Sequence, residues 1–394
     1  MINITDKKNC SGCKACYNIC PQNCIEMKAD SEGFWYPKVE IDKCVNCGLC
    51  EKVCPEINIY ISRGACDVPT CLAAWNKEVG VRENSSSGGV FTSIAEWILK
   101  NNGVVYGAGY DGDHKVIHKE VNSVEELSEL RGSKYLQSDI KDTYEGAKHS
   151  LDNGKKVLFT GTPCQIAGLY NFLRRDYAEL YTCDIVCHGV PSPLVFRKYI
   201  QNLEAAHDSN IKQINFRNKL HGWKSYSVTV QFNDESEYSK ISVDDVFMKG
   251  FLRNYYLRPS CYCCSYAKIP RTSDITLGDF WGIASKYPEL DDDKGTSLLL
   301  INTAKGTAML KGIENNIEKY ICDLSVAIGG NPSIISSVKE PKQRRKFFKD
   351  LRRRDFNYMI KVYMSPPTAM EKRIILTKRV LRFIKRKLTK VMKK

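Results

Sequence analysis

A chain of 394 residues, 43% of them apolar, is long enough for two or three domains with a sizeable core. It has no run of eighteen or more apolar residues, which excludes an ordinary membrane-spanning helix, and its start, MINITDKKNC, lacks the apolar stretch of a secretory signal. The net charge of +14 is unevenly placed: residues 339–394 hold 21 Lys and Arg against 4 Asp and Glu, leaving 38 basic and 41 acidic residues before them, so a chain-wide nucleic-acid surface is excluded and no nucleic-acid partner is expected.

The 18 cysteines, in a chain expected in the reducing cytoplasm, point to metal ligation rather than to disulfides. Residues 10–21 read CSGCKACYNICP and residues 44–55 read CVNCGLCEKVCP. Each is C-x2-C-x2-C-x3-C-P, the spacing of two-cluster bacterial ferredoxins, where the fourth cysteine of each run crosses to the other cluster. Cys10, Cys13, Cys16 and Cys54 are therefore assigned to one 4Fe–4S cluster, and Cys44, Cys47, Cys50 and Cys20 to the other. Three thiolates close in sequence wrap three vertices of a cubane, the repeat supplies the fourth, and each proline keeps the chain from continuing as helix. Zinc fits less well: it wants two separated C-x2-C pairs around one ion, and each run has a third cysteine. Cys24 reads as a spare small apolar residue. This module, residues 1–62, moves single electrons and makes no bonds. The stretch 58–70, with Gly64 and Pro69, reads as a joint.

Beyond the joint, strand-like and helical stretches alternate. GVVYGAG and KVLFTG read as short buried strands. GVFTSIAEWILK repeats its apolar residues at helical spacing (Val90, Phe91, Ile94, Ala95, Ile98, Leu99). Ser123 and Glu126 match a capping box before LSEL, and after Gln213 the strands turn antiparallel in style, as in YSVTVQF. The fold class expected is α+β: a small ferredoxin-like domain, a larger mixed α/β domain over 70–338, and a basic helical tail over 339–394. Two glycine motifs compete for a cofactor phosphate. GAGYDG (Gly107, Gly109, Gly112) is a literal G-x-G-x-x-G, but another strand follows it where a dinucleotide site needs a helix, so it reads as a turn. NSSSGGVFTSIAEWILK runs three serines and Gly88 and Gly89 straight into a helix. Free N–H groups there suit an anion, and the bland alternative is an ordinary turn and N-cap. RGSKYLQS, 131–138, is a polar basic loop before a helix expected from Asp139.

The remaining cysteines are scattered. FTGTPCQIAGL places Cys164 in the first turn of a helix behind Pro163, where the positive helix end favours a thiolate. CDIVCHGVPS places Cys183 and Cys187 at the end of a strand-like run. CYCC holds a C-x2-C pair, Cys261 and Cys264; Cys263 is set aside because neighbouring side chains diverge. Cys66, Cys71 and Cys322 lack any ligand context. Cys164, Cys187, Cys261 and Cys264 are thus four candidate ligands, and spacing alone leaves a metal centre, zinc, a redox disulfide and buried thiols all open.

A two-cluster module followed in order by SSSGG, RGSKYLQS, GTPCQ, CHGVPS and C-x2-C…SDITLGDFWG resembles the family of beta subunits of coenzyme F420 hydrogenases and dehydrogenases, above all its stand-alone bacterial branch, over roughly residues 1–300. The resemblance implies FAD and a third 4Fe–4S cluster held by Cys164, Cys187, Cys261 and Cys264. It places Ser87, Gly88, Gly89, Ser133, Lys134, Tyr135, Gly161 and Thr162 near the flavin, with Asp279 either hydrogen-bonding there or serving as a turn carboxylate. His188 reads as a packing residue rather than a proton donor. Clusters pass single electrons and a flavin handles one or two, so the implied function is a cytoplasmic oxidoreductase. Its expected partners are a ferredoxin or another redox protein and a small-molecule two-electron substrate or deazaflavin-like carrier. Members of that bacterial branch are associated with surface-polysaccharide assembly, and the family name does not fix the substrate. A second reading is a non-catalytic electron-transfer subunit docked on a partner enzyme.

The chain ends EKRIILTKRVLRFIKRKLTKVMKK. Leu376, Val380, Ile384 and Leu388 keep helical spacing among basic residues, the pattern of an amphipathic helix that either lies peripherally on an anionic membrane or packs on its own domain or a partner.

Overall fold

The computed structural model describes residues 1–60 and 64–365. At the N-terminus β1 (Ile25–Ala29) and β2 (Trp35–Val39) form an antiparallel hairpin between the two cysteine runs. Each run folds into a one-turn helix, Ala15–Asn18 and Leu49–Lys52, entered through a left-handed residue, Lys14 (φ 62°) and Gly48 (φ 72°). The sharp entry turns successive thiols inward instead of spreading them along a helix.

The larger part is built on an eight-stranded sheet. Its strands are β3 (Thr70–Asn76), β4 (Gly103–Tyr110), β5 (Val116–Val121), β6 (Lys156–Gly161), β7 (Leu180–Ile185), β11 (Ile275–Asp279), β12 (Ser297–Ile301) and β13 (Ile317–Ile321), in the spatial order β13-β3-β12-β11-β7-β6-β4-β5. β4, β6, β7 and β11 run parallel; the pairs at both flanks are antiparallel. The intervening β8 (Ile211–Asn218), β9 (Ser227–Phe232) and β10 (Glu237–Ile241) make a separate antiparallel sheet. β12, SLLLI, is buried at every position, as a central strand covered on both faces should be. The helix Val90–Lys100 turns Val90, Ile94, Ala95 and Ile98 into that core.

The small module does not hang free. Cys13, Ala15 and Val53 share a core cluster with Tyr106, Tyr144, Phe159 and Ile166 of the sheet domain. A methyl group on Gly168, inside the helix Pro163–Leu173, would sit 3.1 Å from Cys13 Sγ, so that helix needs glycine where it meets the module.

Several expectations change in detail. Gly107 and Gly109 lie within β4, and the turn is confined to residues 111–114, where Asp111 Oδ1 accepts from the Asp113 and Lys115 amides at 3.0 and 2.9 Å. A side chain on Gly107 would meet Thr160 Oγ1 at 2.9 Å, so this glycine serves strand packing, not a phosphate. The Ser123/Glu126 bonds form (Asn122 N to Glu126 Oε2, 2.8 Å; Glu126 N to Ser123 Oγ, 3.4 Å), but they cap a 3-10 helix, Glu125–Glu129. The helix expected from Asp139 starts at Thr143.

The break expected at 339 does not separate a tail. The helix Arg344–Leu351 buries Phe347, Phe348 and Leu351, and Phe356, Met359, Tyr363 and Met364 join the same core as Phe216, Phe247 and Tyr256. Buried Arg344 donates to Leu257 O at 3.0 Å and pairs with Glu32 of the N-terminal module. The apolar face outweighs the charges because every cation of 344–354 except Arg344 projects outward while the rings fill the core. The segment carrying Leu376, Val380, Ile384 and Leu388 lies outside the described residues. Among the described residues, no helix is long and apolar enough to cross a membrane.

Candidate functional site

The two cysteine runs line two hollows that are partly open to solvent. Cys20, Cys44, Cys47 and Cys50 line the first; Cys10, Cys13, Cys16 and Cys54 line the second, so the fourth cysteine of each run does cross to the other group. Cys47 is exposed, whereas Cys10, Cys13 and Cys54 are buried. Burial, reinforced by neighbouring thiols, pushes Cys13 and Cys16 well above the usual thiol range. Thiols packed this way become thiolates only around a cationic partner. Among the described residues, no three Cys, His, Asp or Glu side chains converge on a point that would hold a single ion. Thiols that surround a volume instead of a point suit a cluster. Cys24 is buried as an apolar residue would be, but its sulfur lies 3.4 Å from Cys20 Sγ on the same cavity wall, and burial pushes it up to about 12.

The third group is assembled by the sheet. β6 and β7 are parallel neighbours, with Thr160 opposite Cys183, so their carboxyl ends lie side by side. Past β6, Thr162 and Pro163 start a helix that carries Cys164 in its first turn; the Thr162 amide donates to Gln165 Oε1 at 3.0 Å, closing the cap. Two residues past β7 comes Cys187. The loop to β11 folds as a 3-10 helix, Pro259–Cys263, bearing Cys261, with Cys264 just beyond it. Cys187 is pushed up by burial and by Cys261, Cys164 and Cys264; Cys164 by burial, Cys264 and Cys261. All four thiols therefore lie within electrostatic reach of one another. The lowered Cys164 expected at a helix start is corrected: burial and adjacent thiols outweigh the helix end. Cys261 Sγ accepts from Val190 N at 3.4 Å. Cys263 is exposed and turns to Ser260 O at 3.7 Å, and Cys183 sits inside β7 in the core.

This group sits directly behind the Cys10 group. Tyr144 donates to Gln165 O at 2.7 Å, Tyr266 to Pro55 O at 2.6 Å, and both rings feel Cys13 as well as Cys164. Arg258, three residues ahead of Cys261, donates from Nε to Cys10 O at 2.7 Å. Cys16 in turn feels Cys50. The three groups thus follow one another from the exposed Cys47 inward.

The motifs expected near a flavin lie at the same carboxyl end of the parallel strands, where open α/β sheets bind ligands. Gly89 (φ +83°) starts the helix Val90–Lys100. The Gly88 amide donates to Ser297 Oγ at 2.9 Å, and a side chain there would strike Ala74 O at 2.5 Å, so this amide braces the sheet and is not free for a ligand. Ser87 Oγ is buried with no partner among the described residues. Ser86 Oγ accepts from Ser133 N at 2.8 Å, lacing the two loops together. Lys134 donates to Arg131 O at 2.8 Å, and burial, with Lys119 nearby, pulls its ammonium down to about 7. Tyr135 OH lies 3.5 Å from Arg217 Nη1. Gly161 and Thr162 stay on the cysteine side: Thr162 Oγ1 is 3.2 Å from Cys164 Sγ, and a methyl on Gly161 would stand 3.4 Å from His118 Nε2.

Asp279 is not a bare turn carboxylate. It accepts from Arg217 Nη2 and Trp223 Nε1, each at 2.7 Å, and Trp223 stacks on Trp281 at 4.6 Å. Lys219, bonded to three backbone carbonyls, is pulled down to about 8 by burial and by Arg82 and Arg217. Arg82, Arg217, Lys219 and Trp223 escaped the sequence reading; the alternating cations of RNK at residues 217–219 were the available signal. His188 Nε2 donates to Asn254 Oδ1 at 2.7 Å and packs on Phe251, as a packing residue does.

Ferredoxin-type cysteine runs built into the core of a mixed sheet define the class: an iron–sulfur electron-transfer protein. Residues 9–57 match the model of the 4Fe-4S dicluster domain, and residues 154–325 match that of the C terminus of the coenzyme F420 hydrogenase/dehydrogenase beta subunit. The F(420)H(2) dehydrogenase of Methanosarcina mazei has a subunit, designated F, that is 20% identical over 281 residues, 68% of this chain and 75% of that one. An uncharacterized protein of Methanocaldococcus jannaschii is 27% identical over 208 residues, 44% of this chain and 55% of that one. A chain in a structure of the F420-reducing NiFe hydrogenase complex from Methanosarcina barkeri aligns with a TM-score of 0.48 at 16% identity, covering 68% of this chain and 89% of that one. Residues 154–325 thus carry the C-terminal domain of coenzyme F420 hydrogenase/dehydrogenase beta subunits, behind a 4Fe–4S dicluster domain over 9–57.

Proposed function

We propose that this chain is an iron–sulfur flavoprotein oxidoreductase. Electrons enter or leave at the exposed Cys47 group, cross the Cys10 group and a third 4Fe–4S cluster on Cys164, Cys187, Cys261 and Cys264, and exchange with FAD at the carboxyl end of β4, β6, β7 and β11. The observation that carries this reading is the seating of the third thiol group behind the inner ferredoxin-type group, with Gly168 against Cys13, Tyr144 bonded to Gln165 O beside Cys164, and Tyr266 bonded to Pro55 O beside Cys54. When bound, the flavin couples single-electron clusters to a two-electron substrate or deazaflavin-like carrier. The residues suit an anionic cofactor: Ser87 Oγ lacks a partner among the described residues, and Arg217, Lys219 and Lys134 supply buried or half-buried positive charge. Trp223, Trp281 and Tyr135 supply flat apolar walls. A ferredoxin or another redox protein is the partner at Cys47.

Anaerobic purification with iron, sulfide and flavin counts tests the reading. About twelve irons and one flavin per chain are expected, at four irons per cubane. Eight irons without flavin overturn the second half of the path.

Lys134 gives this site a pH signature. If its ammonium faces the bound anion, flavin affinity falls as pH rises above about 7. The loss amounts to up to tenfold per pH unit, because binding must then recruit a proton. Fluorescence titration of the apo-protein at pH 6 and 8 reads this, and Lys134→Gln abolishes the pH dependence.

A second reading, an electron-transfer component that docks on a separate enzyme, is supported by the relative named as a subunit of a dehydrogenase. It predicts a reduced chain that turns over no small molecule until its partner is added.

A further inference from the structure

Arg258 has no exposed surface, and among the described residues no carboxylate forms an ion pair with it. Its donors go elsewhere: Nε to Cys10 O at 2.7 Å, Nη1 to Gln137 Oε1 at 3.1 Å, and Nη2 to Trp35 O at 2.8 Å and to Cys10 Sγ at 3.4 Å. The guanidinium lies 4.5 Å over the Tyr36 ring. Gly12, inside the first cysteine run at φ +74°, leaves room for it: a methyl there would stand 2.8 Å from Arg258 Nη1. A buried cation without an anion is costly, so it needs a counter-charge. Among the described residues, the one group its Nη2 meets that turns anionic on metal binding is the Cys10 thiol.

We propose that Arg258 is a positioning residue that sets the redox potential of the inner, Cys10-group cluster, holding it above that of the exposed Cys47-group cluster. Four thiolates around a cubane core carry net negative charge, and each added electron makes it more negative. A fixed positive charge hydrogen-bonded to a ligand sulfur favours the reduced state. At an effective dielectric of about 20, a unit charge at this range is worth well over a factor of ten in that equilibrium. The electron supplied by the outer cluster therefore comes to rest on the inner one, next to the Cys164 group, with no bond made or broken and no proton moved. Because Arg258 leads directly into the Cys261 loop, it also fixes how that loop meets the module.

The inference rests on the Cys10 group's holding a cluster, and an iron count on the full chain separates the two: fewer than about eight irons sinks the cluster reading itself. With iron in place, dithionite titration followed by electron paramagnetic resonance is compared for wild type, Arg258→Met and Arg258→Lys. In the methionine variant the inner cluster's reduction equilibrium should fall at least tenfold, about 59 mV for one electron, while the Cys47-group cluster stays within twofold. An unchanged inner potential, or equal movement of both clusters, overturns the proposal. Should the methionine variant fail to load iron, the lysine variant decides. Its shorter ammonium cannot serve both Cys10 and Trp35, so the equilibrium still falls at least twofold, and no fall overturns the proposal.

Discussion

Replacing Cys261 and Cys264 together by serine should remove about four of roughly twelve irons, leave the two N-terminal clusters in place, and cut flavin reduction through them at least 100-fold, at four irons per cubane. The four thiols of the third group come from three separate places: a helix start after β6, the end of β7, and the 3-10 helix before β11. Taking away two vertices leaves a C-terminal group unable to close a cubane, whereas nothing in either N-terminal cavity is touched. Burial and neighbouring thiols push Cys261 up to about 12, so a serine hydroxyl there, with no tendency to ionise, cannot stand in as a ligand. Cys263→Ser is the control. That side chain is exposed and turned to the backbone of Ser260, so iron content and electron flow stay unchanged. Iron and sulfide counts, paramagnetic resonance of the remaining clusters, and flavin bleaching by reduced ferredoxin against direct photoreduction read the outcome. Full iron retention in the double variant would remove the third cluster from the path.

The tandem cysteine runs were legible because their chemistry is local: three ligands within seven residues announce a cluster whatever surrounds them. Cys164 and Cys187 were legible as strand-end residues, but their meeting with Cys261 and Cys264 is not local. It follows from β6 and β7 pairing in parallel with Thr160 opposite Cys183, and no spacing in the chain encodes that register. Arg258 and Gln137 were hidden for the same reason, since each touches the first cysteine run across more than 100 residues of sequence. The region after 339 misled because its cations dominate composition, while Phe347, Phe348 and Leu351 carry the packing. Gly88 misled in another way: a glycine before a helix suits an anion, but here the backbone of β3 presses against it. The neighbourhood of a glycine, not its place in a motif, decides between the two.

Arg271→Met should destabilise the chain by about 3–5 kcal/mol, the cost of stranding one member of a buried ion pair. The side chains of Arg271 and Asp184 are 1% and 0% exposed and meet at 3.2 Å. The guanidinium also donates to Thr276 Oγ1 at 3.2 Å, Tyr266 O at 3.1 Å and Ile185 O at 3.2 Å. One residue therefore pins the end of β7, just ahead of Cys187, to the loop that has just delivered Cys264. Without it, burial acts on the Asp184 carboxyl opposed only by Thr276 and Ser273; that carboxyl already lies above the ordinary carboxylate range chiefly because of burial, with Arg271 the largest opposing influence. A raised carboxyl pKa in the folded chain means that the folded state holds its proton longer than the unfolded state. The variant's deficit is then smallest below the unfolded carboxyl value near 4 and grows as pH rises through the folded one. Urea unfolding of wild type and Arg271→Met at pH 5 and pH 8 should show the gap widening with pH. Adding Asp184→Asn to Arg271→Met removes the stranded charge, so the double variant should recover part of the loss and flatten the pH dependence. A deficit below about 1 kcal/mol, or a double variant no better than the single, would mean that Asp184 reaches water when its partner goes, and the pair would then be a surface contact in energetic terms.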